Sequence, residues 1–174
     1  MSEGTVVWLT GLPGAGKTTI AEMLCEVLER RGSQVCVLDG DELRAGLCSD
    51  LGFAAADRLE NIRRVTEVAR LLIARRMVVI VALVSPYRAH RAFARLRFPP
   101  GRFIEAFVDC PVEVCRARDP KGLYRRADRG EVPGLTGVSA PYEAPEAVEA
   151  HLQTDGMTVD RCVGELLALI EAAR

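Results

Sequence analysis

Residues 11–19 read GLPGAGKTT, and the first eight fit the spacing G-x-x-x-x-G-K-[ST]. In that pattern the chain over Gly11, Leu12, Pro13, Gly14, Ala15 and Gly16 turns its backbone N–H groups toward phosphate oxygens. Lys17 reaches the β- and γ-phosphates, Thr18 offers a hydroxyl to Mg²⁺, and Thr19 continues the opening helical turn, whose positive end adds to the attraction. The chemistry implied is binding of MgATP, which leaves open what receives the phosphate. A second group, VLDGDELR, sets Asp39 and Asp41 at the end of an apolar run. Carboxylates beside a phosphate loop can hold Mg²⁺ through water or take the proton of an attacking hydroxyl, and phosphoryl transfer needs both tasks done. Asp41 alone reads equally well as the N-cap of the next turn.

Arg44, Arg58, Arg63 and Arg64 surround Phe53 in LRAGLCSDLGFAAADRLENIRR. Guanidinium forks match oxyanions, so arginines gathered near an aromatic ring suggest an acceptor with both a ring and an anionic group. For Arg63 and Arg64, on a long helix, a purely solvated role fits as well as a functional one.

The elements that must position these groups follow from periodicity. TVVWLT, QVCVLD, MVVIVALV and FIEAFVD are apolar runs of strand length, each followed by a segment of helical period. Strands apolar almost throughout, alternating with helices, imply a parallel sheet covered on both faces: a three-layer α/β fold, with residues 1–174 as one domain. The long helix is expected to be capped by Asp57, with Glu60 completing a capping box. Residues 128–145, DRGEVPGLTGVSAPYEAP, are rich in Gly and Pro, and a loop this long in a small domain suggests a lid. The final segment, VDRCVGELLALIEAAR, reads as an amphipathic structural helix.

Composition narrows the function. A net charge of −1 lacks the basic footprint of a general nucleic-acid binder. No apolar run approaches the roughly 18–20 residues of a membrane span, and with no charged-then-apolar leader a cytoplasmic protein is expected. The six cysteines contain no C-x-x-C pair and read as reduced, mostly buried thiols. A GTPase would need an Asn-Lys-x-Asp guanine reader, but the only asparagine is Asn61, followed by Ile62. A small kinase acting on a metabolite hydroxyl is what remains.

Six stretches, VVWLTGLPGAGKTT, LDGDELRAGL, LGFAAADRLENIRRVTEVARLL, SPYRAHR, FVDCPVEVCRARDPKGLYRRA and GLTGVSAPYEAPE, together resemble the adenylyl-sulfate kinase (APS kinase) family over nearly the whole chain. The resemblance implies a P-loop kinase using MgATP to phosphorylate the 3′-hydroxyl of adenosine 5′-phosphosulfate. It implies that Arg44, Phe53, Arg58 and Asn61 form the acceptor pocket, with Phe53 on the adenine and the arginines on the phosphosulfate. Asp39 and Asp41 would serve Mg²⁺ and the 3′-hydroxyl, with Thr18 and Asp39 on the metal side. Ser85 matches a serine at which a phosphoenzyme has been proposed, and lining the acceptor site is the role expected here. Lys121 would approach the phosphates as the lid closes, and Arg118 would lie near the ATP adenine. Leu135 stands where the family usually has a phenylalanine that sandwiches the acceptor adenine against Phe53, so one face of an aromatic sandwich is lost. A homodimer and an association with ATP sulfurylase are further implications. The alternatives are a kinase of this architecture acting on another nucleotide- or sugar-linked anion, and a non-catalytic nucleotide-binding module.

Overall fold

A computed structural model describes residues 4–173. Twelve elements follow one another: β1 (Thr5–Thr10), α1 (Lys17–Arg30), β2 (Val35–Asp39), α2 (Gly40–Ala45), α3 (Ala55–Ile73), β3 (Val78–Ala82), α4 (Arg88–Arg95), β4 (Phe103–Asp109), α5 (Val112–Arg118), α6 (Leu123–Asp128), β5 (Ala150–Gln153) and α7 (Val159–Ala172). The five strands form one sheet in the order β2-β3-β1-β4-β5, with every pairing parallel.

Alternation along the central strand divides the core in two. Val7 and Leu9 of β1 face a cluster with Ile20 and Leu24 of α1 and Leu166 and Ile170 of α7. Val6 and Trp8 face the other way, onto Ile62, Val65 and Ala69 of α3 and Ala94 of α4. The helices deliver these residues because their apolar positions recur at three- and four-residue spacing, and each large side chain buried contributes about 1.5–3 kcal/mol. The sheet is therefore covered on both faces, as the sequence implies.

Sheet order also places the site. The connection leaving β1 runs toward the β2 edge, whereas the one leaving β3 crosses β1 to reach β4. Neighbouring strands whose connections part in this way open a crevice at their carboxyl ends, where open α/β sheets bind ligands. Residues 11–19 and Ser85 both lie at that edge.

Two local expectations fail. Asp57 does not cap α3; the helix begins at Ala55 with Ala54 at the N-cap position, and Asp57 lies in the first turn. Glu60 does not reach back as a capping box requires, because Arg63 and Arg64, three and four residues ahead, bind it at 2.7 and 3.0 Å. No described helix is long and apolar enough to cross a membrane.

Candidate active site

The phosphate loop begins where the buried strand β1 ends. Gly11 adopts φ 153°, and a Cβ there would lie 2.3 Å from the carbonyl oxygen of Val108 on β4. Only glycine lets the loop leave the sheet so close to the neighbouring strand. Gly16, at φ 106°, then turns the chain into α1. Lys17 is 9% exposed, and its Nζ donates to the carbonyls of Gly11 at 2.9 Å and Leu12 at 2.8 Å. Burial pulls its pKa down to about 8, so this ammonium is held at a cost that an anion would relieve.

Beside the loop, the two aspartates have different surroundings. Asp39 is the N-cap of α2: its Oδ1 accepts the Asp41 N–H at 2.9 Å, while its Oδ2 accepts the Thr18 hydroxyl at 2.8 Å. The N-cap role considered for Asp41 therefore belongs to Asp39. Asp41 instead forms an ion pair with Lys121. The turn carrying Lys121 hangs from Asp119, whose carboxylate oxygens accept the N–H groups of Tyr124 at 3.1 Å and Arg125 at 3.2 Å.

The other end of the site is built from side chains. Phe53 is 58% exposed, with the Arg44 guanidinium 4.1 Å from its ring centroid. Arg44 donates to the carbonyls of Leu51 and Gly52 at 3.1 and 3.0 Å. Arg58 donates to Phe53 O and Gly134 O, both at 2.9 Å, tying the start of α3 to the segment after α6. Burial lowers the pKa of both arginines. Asn61, one turn further along α3, is 6% exposed, and its Oδ1 has no hydrogen-bond partner. A buried acceptor left open costs free energy unless something binds it.

A single cavity of about 1030 Å³ joins the two ends. Pro13, Gly14, Ala15, Gly16, Lys17, Thr18, Thr19, Asp39, Asp41, Arg44, Phe53, Arg58, Asn61, Ser85, Arg118, Lys121 and Leu135 all line it. Gly11 and Leu12 do not; they form the stem of the loop. Arg118 donates to Thr154 O at 2.6 Å across the mouth.

Several expected roles change on this geometry. Arg63 and Arg64 are not among the lining residues: Glu60 holds both, and Asp50 binds Arg64 at 2.6 Å, so they brace the helix surface. Ser85 lines the cavity but is only 3% exposed, with a backbone φ of 45°, and its Oγ accepts the Trp8 indole N–H at 3.0 Å. That bond places the hydroxyl against the core and suits a structural role better than phosphoryl acceptance. Leu135 is 7% exposed and packs in the cluster with α1 and α7, so it belongs to the core as well as to the cavity wall. The 128–145 segment is tied down at its far end, where the Tyr142 hydroxyl meets Thr10 Oγ1 at 2.9 Å and the Glu143 N–H donates to Pro86 O at 2.8 Å.

Three contributors escaped the sequence reading. Arg91, 2% exposed, pairs with Glu105 at 2.8 Å and donates to Ser85 O and Glu143 O, both at 2.7 Å. Its motif, SPYRAHR, was visible, but not that the arginine would turn inward. Tyr124, within DPKGLY, donates to Pro13 O at 2.8 Å. Thr154 donates to Ala15 O at 2.7 Å, and no sequence signal marked it.

Known proteins resemble this chain over most of its length. The profile of the adenylylsulphate kinase family matches residues 3–153. The adenylyl-sulfate kinase of Klebsiella pneumoniae is 52% identical over 168 residues, spanning 97% of this chain and 83% of the relative. Among solved structures, the APS kinase of Mycobacterium tuberculosis in complex with AMPPNP and APS superposes with a TM-score of 0.94 at 41% identity, covering 98% of this chain and 99% of that one. The hexameric APS kinase from Thiobacillus denitrificans gives 0.72 at 32% identity, covering 98% of this chain and 29% of that one. A gluconokinase from Sinorhizobium meliloti, 17% identical with a TM-score of 0.60 over 99% of this chain and 94% of that one, shares the fold. With the phosphate loop, the paired aspartates and the ring-and-arginine pocket all in one cavity, and with this agreement over almost its full length, the chain belongs to the adenylyl-sulfate kinase family.

Proposed function

We propose that this protein is an ATP-dependent kinase that transfers the γ-phosphoryl group to the 3′-hydroxyl of adenosine 5′-phosphosulfate, giving the 3′-phosphorylated product. The observation that carries the reading is the shared cavity: the loop that suits a triphosphate and the pocket that suits a ring plus an oxyanion open into the same space. Asn61 lines the second end and its buried Oδ1 has no partner, and an amide at that wall suits an exocyclic amino group such as that of adenine.

ATP binds with its phosphates along Gly11 to Thr18 and its base toward Arg118. Lys17 gives up its two loop carbonyls for phosphate oxygens, regaining as an ion pair what burial costs it. Thr18 and Asp39 present a hydroxyl and a carboxylate oxygen 2.8 Å apart, a hard oxygen donor set that fits Mg²⁺. Thr18 and Asp39 would hold the ion, which would supply charge neutralisation at the transferring phosphate. With Asp39 committed to Thr18 and the α2 cap, Asp41 is the carboxylate available to accept the proton of the acceptor hydroxyl. Its partner Lys121 is then free to turn toward phosphate. Arg44 and Arg58 exchange backbone carbonyls for the phosphosulfate, while Phe53 supports the adenine. Little covalent chemistry is required of the protein; positioning and charge stabilisation suffice for phosphoryl transfer. The residues 128–145 act as the cover over both ligands, and two such chains associate as a homodimer, with ATP sulfurylase as a protein partner.

The direct test is a steady-state assay with ATP and adenylyl sulfate, with the product identified by its phosphorylated position. Turnover at low micromolar acceptor giving the 3′-phosphate is expected. Silence with adenylyl sulfate alongside turnover of a cytidine- or sugar-linked acceptor would reassign the substrate, and silence with every acceptor would remove the enzymatic reading.

A further inference from the structure

In a trans peptide the C=O and the following N–H point in opposite directions, and every described peptide bond here is trans. A loop that aims its N–H groups at a phosphate must therefore aim its carbonyls away from it. Those outward carbonyls, embedded against the rest of the fold, need donors of their own. The Gly11 and Leu12 carbonyls are instead served within the loop, by Lys17 on both and by the Ala15 N–H on Leu12 O at 3.2 Å, and the lysine bonds are the ones a phosphate would compete for.

Two hydroxyl groups serve the next carbonyls from outside. Tyr124, 1% exposed, donates to Pro13 O at 2.8 Å, and Thr154 donates to Ala15 O at 2.7 Å. The peptide of Pro13 O carries the Gly14 N–H, and that of Ala15 O carries the Gly16 N–H. Fixing each carbonyl fixes the direction of the opposite N–H.

Building on the phosphate-loop reading above, we infer that Tyr124 and Thr154 are positioning residues that preorganise the loop for ATP by anchoring its outward carbonyls. Both are themselves held. The Tyr124 N–H is accepted by Asp119 at 3.1 Å, and burial raises the phenol pKa, which keeps the hydroxyl a donor. Thr154 donates its N–H to Asp109 O at 2.8 Å and receives the Arg118 guanidinium on its own carbonyl at 2.6 Å. Each anchor also belongs to a second part of the nucleotide site: Tyr124 follows the Lys121 turn, and Thr154 carries Arg118. Loop, lysine turn and base-side arginine are thereby aligned with one another before ligand arrives, which is where preorganised sites gain affinity.

The test is calorimetric titration of the full chain with ATP, for wild type, Tyr124→Phe, Thr154→Val and Thr154→Ser, alongside melting curves and acceptor KM. Loss of one hydroxyl donor is expected to weaken ATP binding roughly 2- to 10-fold in Tyr124→Phe and in Thr154→Val, with the adenylyl-sulfate KM unchanged. Thr154→Ser, which keeps the donor, should restore affinity. Wild-type ATP affinity in both hydroxyl-deleted variants overturns the inference, as does equal weakening toward ATP and acceptor, which marks general loosening. If Tyr124→Phe does not fold, the Val and Ser pair at Thr154 decides the matter alone. A wild type that does not bind ATP would sink the phosphate-loop reading itself, a result separable from failure of the anchors.

Discussion

The two ends of the cavity solve different problems. At the phosphate loop, recognition belongs to the backbone: Gly11 and Gly16 set the path, Tyr124 and Thr154 hold the outer carbonyls, and Lys17 is buried at 9% exposure. At the Phe53 end, recognition belongs to side chains gathered from α2, α3 and the 128–145 segment, and Arg44 and Arg58 are engaged with carbonyls of their own chain. At the first end the backbone path is held by bonds that a ligand leaves intact, and it is side-chain bonds, of Lys17 to Gly11 O and Leu12 O and of Lys121 to Asp41, that need exchange. At the second end the recognising guanidinium groups are themselves engaged and must exchange internal hydrogen bonds for ligand. Substitutions at the first should therefore depress turnover or ATP affinity, and those at the second should raise the acceptor KM.

The largest effects are expected at the loop end. Lys17→Ala and Asp39→Asn should each lower turnover by about a hundredfold or more, as removal of one preorganised electrostatic element does. Rapid-quench or steady-state measurement of kcat decides it, and near-normal turnover in either variant refutes the role given to that residue. At the other end, Arg58→Met keeps the aliphatic stem and loses the charge-assisted bonds. The acceptor KM should rise roughly tenfold or more with little change in the KM for ATP. Equal shifts for both substrates would erase the division between the ends.

The pH dependence of ATP binding sharpens the contrast further. With its pKa lowered to about 8, Lys17 in the free protein loses its proton as pH rises above that value. Phosphates favour the ammonium and raise the pKa, so above pH 8 ATP binding should take up a proton at this residue and weaken by up to about tenfold per pH unit. Calorimetry in buffers of different ionisation enthalpy measures that uptake, which should vanish in Lys17→Met. Smallest of all is Leu135→Phe. An aromatic face added there should tighten adenylyl-sulfate binding by about 2- to 12-fold, while a larger side chain at a position 7% exposed should lower the melting temperature. Unchanged acceptor affinity would speak against a sandwich with Phe53.

The same division explains what the sequence could reveal. The phosphate loop was legible because its geometry is local: glycine spacing, a preceding strand and a following helix lie within one short stretch. β1 and β4 were readable to the residue, since TVVWLT and FIEAFVD are buried almost throughout. β5 escaped because only four residues pair, alternating buried and exposed at the sheet edge. The Asp57 cap was misplaced because α3 begins earlier, at Ala55, and the capping box fails because Arg63 and Arg64 take Glu60, a contest that spacing alone does not settle. Arg58 was marked as an acceptor residue, yet its bond to Gly134, 76 positions away, depends on how the later segment folds back. Thr154 carried no signal at all, because its partner Ala15 lies 139 residues earlier.

In the proposed reaction one cavity brings an acceptor hydroxyl into line with the terminal phosphate of ATP. A crystal structure with adenylyl sulfate and a non-hydrolysable ATP analogue tests it most directly. The acceptor 3′-oxygen is expected about 3–3.5 Å from the γ-phosphorus, in line with the bridging oxygen and within hydrogen-bond reach of Asp41. An acceptor bound with that oxygen turned away from the γ-phosphorus, or seated outside the cavity that Phe53 and Lys17 share, would contradict it.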